Sequence, residues 1–156
     1  MNLFKKSLVS VIVLSMIAMT LIPAVRAQKY NEEQLENLVL GQEYHWSVTP
    51  NAQYPDSGRQ LTDGQYASTS YTNPNWVGFA RGMTKSVVFD LGEKKSIGEV
   101  KANFLQDTSV GIYFPQTVTI SVSNNGVTWG DLSVQNTKVP LWETDAITQE
   151  YRWEGK

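Results

Sequence analysis

The sequence predicts an all-β fold, an antiparallel β-sandwich of jelly-roll type, and three observations carry that prediction. Short β-branched and aromatic runs alternate apolar with polar residues, turn dipeptides such as Asp63-Gly64 and Asn125-Gly126 separate them, and helical periodicity is almost absent.

The chain opens on a different kind of segment. Residues 1–27 combine a basic head (Lys5, Lys6), an apolar run from Leu8 to Ile22, and small side chains at Val25 and Ala27, the layout of a secretory signal peptide cleaved after Ala27. That run of 15 residues is interrupted by Ser10, Ser15 and Thr20. A bilayer needs roughly 20 apolar residues, so the mature form is expected to be secreted and to have no membrane span. Cleavage leaves 129 residues and takes three of the 13 basic side chains but no acid; 10 bases against 15 acids then give a net charge of −5. Such a surface disfavours nucleic acid as a partner. The chain has no cysteine, hence neither a disulfide nor a thiol nucleophile, and its stability must come from one core. Export without cysteine behind a Lys-Lys head points to a bacterial source.

Residues 28–37 read as a lead-in, with Asn31 as a helix cap, Gln34 three residues on, and Leu35 and Leu38 at helical spacing. The domain proper is expected over 38–156. Leu38 to Gly41 and Tyr44 to Val48 form a first extended segment that Pro50 stops. A long loop rich in Gly, Asp, Asn and Tyr leads from Tyr54 into a buried strand, Lys85 to Leu91. From Ile97, Val100, Ala102 and Phe104 share one face, with Lys101 and Asn103 on the other. Phe104 to Ser109 leaves that strand for a second loop, and Gly111 to Pro115 returns from it. Thr117 to Ser123 places Val118, Ile120 and Val122 inward; Asn125-Gly126 turns the chain and Val127-Thr128-Trp129 begins the returning strand. Thr148 to Glu154 is a final alternating strand.

The order Thr62-Asp63-Gly64, Trp76 and Phe89-Asp90-Leu91-Gly92, followed by the Val122 to Trp129 hairpin, resembles the discoidin, or coagulation-factor type C, domains of the galactose-binding-like superfamily, which includes many bacterial carbohydrate-binding modules. The resemblance runs from about Leu38 to Trp153. It implies a discoidin-like sandwich, a glycan as partner, and a structural Ca²⁺ at the Asp63 turn. Domains of this kind continue into one or two further strands, so the sequence is expected to be truncated, lacking its last strand or strands.

Binding a sugar requires an aromatic face for its C–H side and planar or charged groups for its hydroxyls. The loops supply Tyr54, Trp76 and Tyr113 for the first, and Arg59, Arg81, Gln106 and Asp107 for the second. Trp76 and Phe79 can equally plug the base of the sandwich, and Trp46 and Trp129 are expected in the core. Asp63, with hydroxyls such as Ser68 nearby in sequence, offers the all-oxygen surroundings that Ca²⁺ prefers, although a plain Asx turn uses the same residues. His45, the one histidine, reads as a packing residue of a strand. Asp56, Asp63 and Asp107 are the carboxylates a glycosidase would need, yet the first two sit in turn contexts that favour Asp for backbone bonding alone. The reading is therefore a secreted, non-catalytic carbohydrate-binding module, accessory to the catalytic domain of a larger polysaccharide- or cell-wall-active protein. Its rivals are an adhesion module for protein or lipid using the same loops, and a glycan-active hydrolase using Asp107.

Overall fold

A computed structural model describes residues 36–82 and 84–155. The expected signal peptide 1–27, the expected Asn31 cap and most of the expected lead-in lie outside the described residues. The described chain is all β, with six strands and a single 3₁₀ turn: β1 (Tyr44–Trp46), β2 (Val87–Phe89), β3 (Glu99–Gln106), the turn Thr108–Val110, β4 (Thr117–Ser123), β5 (Trp129–Asn136) and β6 (Ile147–Glu154). The strands pair as three two-stranded antiparallel sheets, β1 with β2, β3 with β6, and β4 with β5.

The first strand is shorter than its sequence predicts. Asn37 turns the chain instead: its side chain accepts from the Val39 amide, its carbonyl accepts from the Leu40 amide, and Leu38 to Gly41 becomes a turn. β2 is cut short likewise, because Asp90 Oδ1 accepts the Gly92 amide at 2.8 Å and closes an Asx turn. β3 runs further than expected, through Leu105 and Gln106, because β6 offers a partner for all eight of its residues, from Glu99↔Glu154 to Gln106↔Ile147.

The β3–β6 faces follow the alternation. Ala102 pairs with Tyr151, and Phe104 meets the Tyr151 ring edge-on at 5.3 Å. On the opposite face Glu99 binds Lys101 at 2.8 Å and also Arg152, which in turn holds Glu154. These pairs, Glu99–Arg152 diagonal across the ladder and the other two along a strand, offset the like charges that the register sets opposite each other, Lys101↔Arg152 and Glu99↔Glu154. The Lys101 hydrogen bond, then the Arg152 charge, hold the Glu99 carboxyl below the usual carboxylate range.

The β4–β5 hairpin has the predicted inward residues, with Ile120 buried. Leu132 is an extra residue between the pairs Ile120↔Ser133 and Ser121↔Asp131, a bulge that bends the ribbon. The connection spans 124–128, where Gly126 takes φ +68° and Ser123 Oγ accepts its amide at 2.9 Å. Trp129 is a correction to the expected core: it pairs with Ser123 at the ribbon end and is 46% exposed. Register, not residue type, decides its position.

The buried set is small: Tyr44, Leu105, Phe114, Ile120 and Tyr151, with the polar side chains of Thr62, Gln106 and Asp107. Each polar member has a partner, as burial demands. Thr62 Oγ1 donates to the Gln42 carbonyl at 3.0 Å, whereas Gln106 and Asp107 bond within the loop end beyond β3.

Candidate functional site: one end of the strands

The register brings two loops to one end of the molecule. β3 ends at Gln106 opposite the start of β6, and β4 starts at Thr117 opposite the end of β5. The 107–116 and 137–146 connections therefore leave from neighbouring strand ends, and direct bonds join them. The Thr137 amide donates to the Gln116 carbonyl at 2.9 Å, and its hydroxyl bonds the Pro115 carbonyl and the Tyr151 hydroxyl.

A third segment, 76–82, reaches this end through Arg81. The Arg81 guanidinium lies over the Tyr113 ring, 4.4 Å from its centroid, with Arg81 exposed and Tyr113 half-buried. Two residues 32 positions apart in sequence, both predicted as ligand-binding, are thus one unit. A guanidinium held over a phenol ring is oriented before any ligand arrives, and it brings several N–H donors to the site.

Tyr54 supports the same segment from behind. The Asn51 amide donates to the Gly78 carbonyl at 2.7 Å and the Gly78 amide to the Tyr54 carbonyl at 3.1 Å, which straps the 51–54 turn to the run leading to Arg81. The approach is so close that a Cβ at Gly78 would lie 2.7 Å from the Tyr54 Cβ. Gly78→Ala is accordingly expected to destabilise the fold by about 1–3 kcal/mol, with Tyr54 displaced. Urea denaturation would read the first effect; a midpoint equal to wild type would show that the strap yields freely.

Gln106 and Asp107 are not the exposed loop residues that the sequence predicts. Gln106 is fully buried and Asp107 is 8% exposed, because β3 continues to this corner. Asp107 caps the 3₁₀ turn, its Oδ1 accepting from the Ser109 amide at 3.2 Å and the Ser109 hydroxyl at 2.6 Å. Gln106 Oε1 accepts the Phe114 amide at 3.4 Å, and its Nε2 donates to the Pro140 carbonyl at 3.2 Å. One residue beyond Asp107, Thr108 Oγ1 donates to the Glu143 carbonyl at 2.9 Å.

The bonds to Pro140 and Glu143 hold a feature that no local pattern in the sequence singles out. Pro140 to Glu143 is a turn closed by the Glu143 amide on the Pro140 carbonyl at 3.2 Å, and both of its base carbonyls are gripped from the β3 corner. At its tip Leu141 is 63% and Trp142 82% exposed.

The remaining predicted residues lie in other contacts. Trp76 is half-buried, its indole N–H donating to the Ser68 carbonyl at 3.0 Å, so it staples its own loop. Arg59 is exposed and lines a shallow depression of about 340 Å³ with Ser57, Gly58 and residues of the β1 edge, His45 among them. His45 is exposed, not packed as expected, since it falls on the outer face of β1 opposite Val88.

No family model, curated protein or solved structure matches the chain.

The three loop carboxylates all serve the backbone or its neighbours. Asp56 accepts from the Tyr44 hydroxyl at 2.7 Å, the Trp46 indole at 2.6 Å and the Gly58 amide at 2.7 Å. Asp63 Oδ1 accepts the Gln65 amide at 2.8 Å, an Asx turn. Ser68 Oγ accepts from Asn73 Nδ2 at 3.2 Å, and its carbonyl is taken by Trp76. The Asp63 turn therefore supplies a single carboxylate, and the contacts of Ser68 run to Ser70, Asn73 and Trp76. Among the described residues no three His, Cys, Asp or Glu side chains gather as metal ligands, and no helix is long and apolar enough to cross a membrane.

Proposed function

We propose that this is a secreted, non-catalytic carbohydrate-binding module on a discoidin-like β-sandwich, accessory to a polysaccharide-active protein. The Arg81–Tyr113 stack carries the reading. It places a pre-oriented, multiply donating planar cation on an exposed loop end, the chemistry that sugar hydroxyls accept. The commitment of Asp56, Asp63 and Asp107 to local hydrogen bonds supports binding over glycoside hydrolysis, which needs two carboxyls free to reach one bond. Ca²⁺ at Asp63 is a separate proposal of the same reading; melting after chelation and again with added Ca²⁺ tests it, and equal midpoints would leave Asp63 as a turn-former.

The site is open, so affinity is expected to be modest. Isothermal titration against bacterial and plant glycans should find a ligand whose binding weakens about tenfold in Arg81→Ala and in Tyr113→Ala. The double variant should lose little more than either single one, because the two side chains act as a unit. Binding to none of those glycans would remove the proposal.

A further inference from the structure

The Leu141–Trp142 tip does nothing for the fold, yet the fold is built to hold it. Trp142 is 82% exposed, so its indole gains little from burial. Beneath it, the fully buried Gln106 amide at the end of β3 and the Thr108 hydroxyl in the 3₁₀ turn each grip one base carbonyl of the turn, from 34 and 35 residues away. A large apolar plane is thus presented to solvent on a fixed mount, at the same strand end as the Arg81–Tyr113 stack.

Shape then narrows the ligand. A pocket encloses a chain terminus or a single small sugar, whereas a tip exposed to this degree is convex and contacts only what lies across it. Within the carbohydrate reading, on which this inference rests, that means a flat ligand. Pyranose rings whose hydroxyls are all equatorial turn axial C–H groups to both faces, and β-linkage through equatorial oxygens lines those rings up as a ribbon. α-Linked chains curl and offer no such run. Leu141, 63% exposed beside the indole, widens the apolar strip.

We propose that Trp142 is a stacking platform for the flat face of an equatorially β-linked polysaccharide, of glucose or N-acetylglucosamine configuration. The Arg81–Tyr113 pair bonds hydroxyls at its margin.

The test uses the full chain in sedimentation with microcrystalline cellulose, with chitin and with starch granules, alongside titration with cellohexaose and chitohexaose. Retention on one of the two β-linked solids, not on starch, is expected. Trp142→Ala should weaken that retention at least about tenfold without lowering the melting temperature, while Trp142→Phe keeps most of it. Equal retention of wild type and Trp142→Ala, in a protein where Arg81→Ala still weakens binding, would overturn the platform and leave the carbohydrate reading standing. Binding to no glycan would overturn both. Equal retention on starch would overturn the linkage preference. A wild-type dimer that Trp142→Ala dissolves, with no retention on any solid, would assign the tip to self-association instead.

Discussion

Tyr151→Ala is expected to cost about 3–5 kcal/mol, most of the stability of a domain this size, and to leave a protein that unfolds near room temperature. Tyr151 is 1% exposed, meets Phe104 edge-on at 5.3 Å, and sends its hydroxyl to Thr137. Thr137 is itself tied to Pro115 and Gln116, so one side chain joins the β3–β6 ladder to both connections of the loop end. Truncation empties a ring-sized volume in a core of few fully buried residues. Tyr151→Phe separates the two contributions: it retains the ring and should cost only about 1 kcal/mol through the lost bond to Thr137, whose hydroxyl keeps the Pro115 carbonyl. Urea unfolding followed by tryptophan fluorescence would measure both. A Tyr151→Ala midpoint within the error of wild type would mean that the loop end is held by something else.

Asp56→Ala should be nearly as damaging, by about 3 kcal/mol, because three donors lose one acceptor group together. The Tyr44 hydroxyl, the Trp46 indole and the Gly58 amide all point at the Asp56 carboxylate, which fastens the long loop to β1. Asp56→Asn is no rescue, since an amide has one accepting oxygen and turns its NH₂ toward a donor. The same clamp gives stability an alkaline limit. Burial, and next the hydrogen bond to Asp56, push the Tyr44 phenol far above its ordinary ionisation range. A group raised in the folded state stabilises fully below its unfolded value, roughly 10 for tyrosine, and this stabilisation is lost as pH rises through the folded value. Denaturation midpoints should therefore fall from about pH 10 upward in wild type and less steeply in Tyr44→Phe. Parallel curves for the two proteins would contradict the assignment.

The strands that alternate cleanly are legible in the sequence. Val118, Ile120 and Val122 locate β4, Val100, Ala102 and Phe104 locate β3, and Asn125-Gly126 marks the connection between β4 and β5. These are properties of a few adjacent residues. What escapes a local reading depends on distant ones. The polar Gln106 and Asp107 read as a loop, but β6 extends the ladder to Gln106, Asp107 bridges Ile112 across the second loop, and both are buried. Trp129 reads as core by residue type, yet its register sets it on the face shared with exposed Asp131. Asp56 reads as a turn-former, while two of its three donors come from β1, 10 and 12 residues upstream. At the candidate site, Arg81 and Tyr113 each have the chemistry of a binding residue, but nothing local says that they stack. Trp142 belongs to no periodic pattern at all; its prominence comes from bonds made by the β3 corner.

The three ladders share no strand, so no backbone hydrogen-bond row runs from one to the next. Communication between them passes through side chains and connecting segments, Tyr151 and Thr137 above all. An insertion or exchange of residues in the 138–146 segment, beyond Thr137, then leaves every pairing register as it was, provided that the Gln106 and Thr108 grips survive. The molecule thus separates the part that must be kept to fold from a part that is free to diversify, and a lineage or an engineer can change the surface presented at this end by rewriting one short stretch.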